Sequence, residues 1–267
     1  MEIGGKRVLL TGATGGLGRA IAEAMARGGA KLILSSRKGE ELEQLAAGLP
    51  GDDHSIAVSD LADPGAAQRL AAEAGDVDVL VANAGLPATG LVEDFSTNEI
   101  ERAVRVNLEA PIVMTGVLLP AMKARGGGHI VFISSLSGKV ASPRSSIYNA
   151  TKFGLRGFSL ALREDQIVDR TKIGVSVVLP GFIRDAGMFA DGGAKLPLIA
   201  GTGTPEQVGE AVVRAVTQDR AEIAVAPPHM RAISGFAHVF PQLAGRSQRG
   251  VGKKVGDQLT RGNAAKR

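Results

Sequence analysis

Short runs rich in Val, Ile and Leu alternate along the chain with longer stretches in which apolar residues recur every three or four positions. The short runs are Arg7–Thr11, Lys31–Ser35, His54–Val58, Val77–Ala82, His129–Ser134, Ile173–Leu179 and Glu222–Ala226. They have strand length, and those without polar alternation, such as Val77–Ala82, read as strands covered on both faces. The periodic stretches Leu17–Arg27, Glu40–Leu49, Pro64–Ala74, Thr97–Arg125, Ser146–Asp169 and Pro205–Gln218 read as helices. Strands separated by helical crossovers imply right-handed βαβ units and a parallel sheet. The pattern therefore predicts an α/β chain whose doubly wound parallel sheet has about seven strands and helices on both faces.

This Rossmann-like body is expected to span residues 1–228 and to end at Pro227-Pro228. Beyond it, Met230, Ile233, Phe236, Ala237 and Phe240 recur at helical spacing, predicting an amphipathic helix within 229–245 that Pro241 stops. Residues 246–267 have too few apolar side chains to pack and are expected to be disordered.

Composition changes this picture in two places. With 8 Phe, one Tyr and no Trp, the core must be built from Ala, Val, Leu and Ile; with no Cys, disulfides, thiolate metal sites and a Cys nucleophile are excluded. The net charge is +4, but Arg246 to Arg267 holds seven basic residues and a single acid, Asp257, which makes that segment +6 and the rest −2. Basicity thus belongs to the tail, and a nucleic-acid partner is not expected. The four His residues show no metal-ligand spacing, so no metal is expected. No secretory signal and no apolar run of about 18 residues is apparent, so a cytoplasmic location is expected.

Between the first strand and the first helix lies Thr11-Gly12-Ala13-Thr14-Gly15-Gly16-Leu17-Gly18. Glycines there let backbone approach a pyrophosphate, and the start of the following helix faces the anion. The second strand ends at Ser36-Arg37-Lys38, offering hydroxyl and positive charge with no adjacent acid. That favours NADP(H), with its 2′-phosphate, over NAD(H). Asp60 is placed either to accept from the adenine amino group or to cap its own loop.

The chain resembles the short-chain dehydrogenase/reductase family. The resemblance rests on the TGxxxGxG loop, Asp60-Leu61, Ala82-Asn83-Ala84-Gly85, Asn107, Ser135, Tyr148-Asn149-Ala150-Thr151-Lys152 and Pro180-Gly181, in the family's order over residues 6–226. Tyr148 and Lys152, four apart on one helix, share a face, and a cation near the phenol is expected to lower its pKa towards the working range of an acid/base. The resemblance implies a tetrad of Asn107, Ser135, Tyr148 and Lys152, with Ser135 and Tyr148 holding the reacting oxygen of a carbonyl or alcohol. It also implies cofactor contacts from Gly12, Thr14, Gly15, Gly16, Leu17, Gly18, Ser36, Arg37, Lys38, Asp60, Leu61, Asn83, Ala84, Gly85, Tyr148, Lys152, Pro180, Gly181 and Ile183. Where the family often has Thr after Pro-Gly, this chain has Asp185.

A lid over the substrate is expected at residues 184–203. Its apolar residues, Met188 and Phe189 among them, suit a lipophilic substrate such as a steroid, retinoid or acyl chain. The reading is an oxidoreductase acting on ketones, aldehydes or alcohols, forming a homodimer or homotetramer. Its alternative is an NADP-binding regulatory protein without turnover, which usually lacks the Tyr or Lys kept here. The C-terminal stripe and cations also admit peripheral contact with an anionic membrane, against a preferred reading in which the stripe packs on the lid or a neighbouring subunit.

Overall fold

The apolar runs form the strands they predict in a computed structural model that describes residues 1–187 and 201–263. The strands are β1 (Arg7–Thr11), β2 (Lys31–Ser36), β3 (Ser55–Val58), β4 (Val79–Ala82), β5 (Gly128–Ile133), β6 (Ile173–Pro180) and β7 (Glu222–Val225). They pair in parallel in the order β3-β2-β1-β4-β5-β6-β7. Leu9 stands between Ile33 and Leu80, so β1 is central and the order reverses between β1 and β4. At such a reversal the loops beyond the two strand ends part and leave a crevice.

Helices cover both faces. On one side α1 (Gly16–Arg27), α2 (Gly39–Gly48) and α7 (Pro205–Gln218) bury Val8, Leu10, Leu32, Leu34, Val79 and Val81. On the other, α3 (Ala66–Ala74), α5 (Ala110–Ala124) and α6 (Ser146–Val168) cover Leu9, Leu80, Ile130, Phe132 and Val177. Small residues compensate for the shortage of aromatics by close approach: a Cβ on Gly209 of α7 would lie 2.5 Å from the Ala20 carbonyl oxygen of α1.

The predicted helix Thr97–Arg125 is divided. α4 (Thr97–Val104), started by a Ser96/Glu99 capping box, leads through a π-helical turn at Arg105–Glu109 into α5. The whole run Thr97–Ala124 reaches a hydropathy of 1.2 over an 18-residue window, long and apolar enough to cross a membrane. Here Met114, Leu118 and Met122 are buried in the core, so the run serves as a packing layer of the fold.

The C-terminal expectation is also corrected. α8 (Pro228–Val239) ends near Pro241 as predicted, but Pro241 opens another helix, α9 (Pro241–Gly262). Proline is well suited to a first helical turn. The tail orders through few contacts: Val255 is buried, Gly256 lies against Pro143 and Arg144, and Asp257 accepts a 2.8 Å bond from Arg144 Nε.

Beneath the sheet, buried His129 has Nε2 2.8 Å from Ser176 Oγ. Burial pushes its pKa down to about 4, with the Asp219 charge pulling the other way. An unfolded His titrates near 6.5. Between these values the unfolded chain holds a proton that the folded chain rejects. The stabilisation is therefore complete above about pH 6.5 and is lost as pH falls towards 4, by about 3 kcal/mol in all. Urea unfolding from pH 7 to 4 should show His129→Gln losing less stability than wild type; equal losses would remove His129 as the cause.

Candidate active site

The crevice between β1 and β4 is held by two residues. Thr11 Oγ1 accepts from the backbone N–H groups of Asn83 and Ala84, both at 3.1 Å, and Asn83 Nδ2 donates to the carbonyls of Thr11 and Gly12. Asn83 therefore fastens the glycine loop to β4. Gly12 has φ +65°, and a Cβ there would lie 2.9 Å from Ala84 Cα. Gly15 precedes α1 without a side-chain cap, leaving the first-turn N–H groups to a ligand or solvent. A Cβ on Gly18 would lie 2.1 Å from the Gly12 carbonyl oxygen. Bare backbone and an uncapped helix start fit a dinucleotide pyrophosphate.

At the end of β2, Ser36 Oγ accepts from Lys38 N, Arg37 lies 3.6 Å from Asp60, and Lys38 and Arg19 both pair with Glu41. Asp60 also caps its own loop by accepting from Ala62 N at 2.9 Å, and Leu61 beside it is buried. Three cations thus sit by the glycine loop, two of them sharing one carboxylate. This donor set fits a phosphorylated ribose. Thr14 accepts from Arg19 Nε through its carbonyl, while Leu17 is near Gly187.

The predicted tetrad comes together at the carboxyl ends of β4 and β5. Ser135 follows β5 and stands beside the Tyr148 hydroxyl, close enough to pull its pKa down; its Oγ accepts from Ser137 N at 3.1 Å. Ser134 is turned away, donating to the Lys152 carbonyl at 3.0 Å, which leaves Ser135 as the serine beside the phenol. Lys152 Nζ stands 5.7 Å from the Tyr148 ring centre and donates to the Ile133 carbonyl at 3.0 Å. Asn107, wholly buried in the π turn, clasps Leu86: Oδ1 accepts from its N–H at 2.7 Å and Nδ2 donates to its carbonyl at 3.0 Å. Gly85 joins the two halves, for a Cβ on it would lie 3.3 Å from Asn107 Oδ1 and 3.8 Å from Lys152 Nζ.

The electrostatics differ from the sequence expectation. Burial pushes the Tyr148 phenol up to about 12, only partly opposed by the Ser135 hydroxyl. Burial also pushes the Lys152 ammonium down to about 8. The expected lowering of the phenol is absent because its surroundings remove water while the Lys152 ammonium is directed to a backbone carbonyl.

On the far side, Ser135 Oγ donates to the Pro180 carbonyl at 3.4 Å, and Gly181 packs against Leu136 and Ala226. Ile183 is buried and bridges to Gly203, closing the neck of the segment between them. Asp185 has an 83% exposed side chain and φ +63°, so it points to solvent, whereas Ala186 lies against Gly16. Met188, Phe189 and most of the expected lid lie outside the described residues.

Two positioning residues escape a reading by motif. Asn149, inside the Tyr-to-Lys motif, donates to Ser137 and Val140 carbonyls and accepts from Ser142 N, tying down the loop before Tyr148. Arg144, in that loop, is held by Asp257 of α9, 113 residues away. The one local signal for Asn149 is an amide side chain next to Tyr148; the Arg144 partner has none.

Comparison with known proteins identifies the family and the fold. The model of the family described as short chain dehydrogenase matches residues 6–196. The ketoacyl reductase HetN of Nostoc sp. is 37% identical over 227 residues, 83% of this chain and 78% of the relative. Dehydrogenase/reductase SDR family member 7B of Bos taurus is 35% identical over 240 residues, 83% and 73% respectively. A solved short-chain dehydrogenase from Streptomyces avermitilis superposes with a TM-score of 0.73 at 27% identity, covering 90% of this chain and 97% of its own.

Proposed function

The chain belongs to the short-chain dehydrogenase family and is an oxidoreductase served by a nicotinamide dinucleotide, and from that premise we propose an NADP-preferring carbonyl reductase with Tyr148 as its general acid/base. The observation that carries this reading is the Lys152 ammonium 5.7 Å from the Tyr148 ring centre, with Ser135 beside the phenol and the exposed backbone of Gly85 next to them.

The cofactor, when bound, supplies the hydride. Tyr148, held as a phenol at neutral pH by its raised pKa, gives its proton to the carbonyl oxygen as negative charge develops there, and takes it back in the alcohol-oxidising direction. Ser135 keeps that oxygen in line with the phenol. Lys152, mostly protonated at neutral pH, stabilises the phenolate left behind. Asn107 holds the turn at Leu86 and with it the Gly85 backbone against Lys152. A reductive rate limited by this proton transfer is expected to decline as pH rises through about 8, where Lys152 loses its charge; a rate flat to pH 10 would contradict the cationic role.

Glycines 12, 15, 16 and 18 with Thr14 and Leu17 would hold the pyrophosphate, and Ser36, Arg37 and Lys38 the 2′-phosphate. Asn83, Ala84, Asp60 and Leu61 would border the adenosine half, and Pro180, Gly181 and Ile183 the nicotinamide. Arg37 is about half exposed and held by Asp60 at 3.6 Å, a weak pairing that a phosphate can replace. Arg37→Asp is expected to reduce the NADP-to-NAD ratio of kcat/KM by roughly tenfold or more, equivalent to about 1.4 kcal/mol. An unchanged ratio would remove Arg37 from phosphate recognition.

For the substrate, the apolar composition of residues 184–203 and the ketoacyl reductase name of the Nostoc relative favour an acyl-chain ketone over a steroid or retinoid. Turnover on medium-chain 3-ketoacyl thioesters should exceed turnover on sugar ketones; the reverse order would reject the lipophilic reading. Self-association through α4, α5 and α6 is supported by the exposed Val104 and Phe153 on these helices.

A further inference from the structure

The joint between α8 and α9 carries an apolar surface unlike any other among the described residues. Ile233, Phe236, Val239, Phe240 and Leu243 are between 49% and 66% exposed, and the Phe236 and Phe240 ring centres lie 5.0 Å apart. The remaining exposed large apolar side chains occur singly or as adjacent pairs. At about 100° per residue, Ile233, Phe236 and Val239 share an arc of about 120° on α8. Ser234 and Ala237 are buried, so the helix is seated on the body through another arc. Of the apolar stripe read from the sequence, Ile233, Phe236 and Phe240 are therefore exposed among the described residues, while Ala237 is buried.

The charge around that surface is one-sided. From Ile223 to Gly256 there is no Asp or Glu, but there are Arg231, Arg246, Arg249, Lys253 and Lys254. On α9 the last four are all exposed and fall within an arc of about 140°, with the buried Val255 on the opposite side. No ion pair occupies these cations among the described residues, and the nearby carboxylate, Asp257, is bonded to Arg144. An amphipathic helix with aromatic and aliphatic side chains next to unpaired cations has the chemistry of an interfacial anchor.

We propose that the α8–α9 surface docks on an anionic lipid bilayer, with Ile233, Phe236, Val239, Phe240 and Leu243 entering the interface and Arg246, Arg249, Lys253 and Lys254 facing the headgroups. Charge complementarity chooses this occupant. A second copy of the same surface would bring like charges together, whereas a bilayer containing phosphatidylserine supplies the missing anions. Docking also bears on the site, because α9 reaches the loop before Tyr148 through Gly256 and the Arg144–Asp257 pair. The bilayer is thereby tied to the rim of the cleft that an apolar substrate must enter.

Vesicle co-sedimentation of the full chain, without cofactor or substrate, separates this proposal from the catalytic one. Wild type is expected to partition about tenfold more strongly onto phosphatidylcholine mixed with phosphatidylserine than onto phosphatidylcholine alone, with the difference shrinking in high salt. Phe236→Asp combined with Phe240→Asp should reduce binding to the mixed vesicles about tenfold or more. Lys253→Glu combined with Lys254→Glu, both at exposed positions, should remove the preference for phosphatidylserine. Failure of wild type to bind, or equal binding to both vesicle types, would overturn the proposal. So would unchanged vesicle binding by the Phe variant together with a loss of self-association in analytical ultracentrifugation, which would assign the surface to contacts between copies.

Discussion

Tyr148→Phe is expected to retain the fold and dinucleotide binding while lowering kcat/KM for ketone reduction by about 100- to 10,000-fold. The substitution removes one oxygen from a half-buried ring and leaves Lys152 bonded to the Ile133 carbonyl, so neither packing nor the position of the ammonium changes. What disappears is the proton donor beside Ser135. No neighbouring group stands in its place, since the other titratable member of the cluster, Lys152, is directed to a backbone carbonyl. Steady-state kinetics with a verified ketone, alongside NADPH titration of the same variant, checks both halves. Wild-type turnover by the variant would show that the proton comes from elsewhere.

Gly18→Ala should be comparably severe by a different route. The added Cβ would lie 2.1 Å from the Gly12 carbonyl oxygen and 2.8 Å from both Ala13 Cα and its carbonyl oxygen. All three atoms are backbone, so no side chain can rotate aside and the loop itself must move. Overpacking of this kind costs about 1–3 kcal/mol of stability. The displaced loop is also the surface offered to the pyrophosphate, and NADPH affinity should fall about tenfold or more. Thermal unfolding and fluorescence titration measure the two losses. A stable variant with unchanged affinity would mean that the loop does not approach the ligand through its backbone.

The doubly wound sheet was legible because buried parallel strands need unbroken apolar runs, and the crossover helices need a three-to-four-residue period. Ser135, Tyr148 and Lys152 were named through the family resemblance, and the physical reason the sequence added was that Tyr148 and Lys152, four apart, share one helix face. The π turn was not, since Arg105 to Glu109 carries no proline or glycine to announce it, and its effect is to set Asn107 against Leu86. The pKa of Tyr148 was misread because spacing shows the nearby cation and does not show how much water the fold removes. The C-terminal segment was misread for want of apolar residues. Its order comes from Val255, a close approach at Gly256, and Asp257, the only acid in the basic tail, reaching Arg144 far away in sequence.

Asp185 shows how a departure from a family motif is resolved by conformation. A carboxylate after Pro180-Gly181 suggests altered contact with the nicotinamide, yet its side chain is turned to solvent, and the residue lying against Gly16 is Ala186. The segment after β6 therefore meets the glycine loop through small residues.

The central claim is that the Ser135–Tyr148–Lys152 cluster turns over a carbonyl substrate with NADPH and is not a dinucleotide sensor. The most direct measurement is a single-turnover reaction of the purified chain, preloaded with NADPH and mixed with a medium-chain 3-ketoacyl thioester, followed by loss of reduced-nicotinamide absorbance. The account predicts one equivalent of NADPH oxidised per site with formation of the hydroxyacyl product, faster than the same reaction with NADH. NADPH that binds saturably but stays reduced across acyl, steroid and retinoid carbonyls would contradict it.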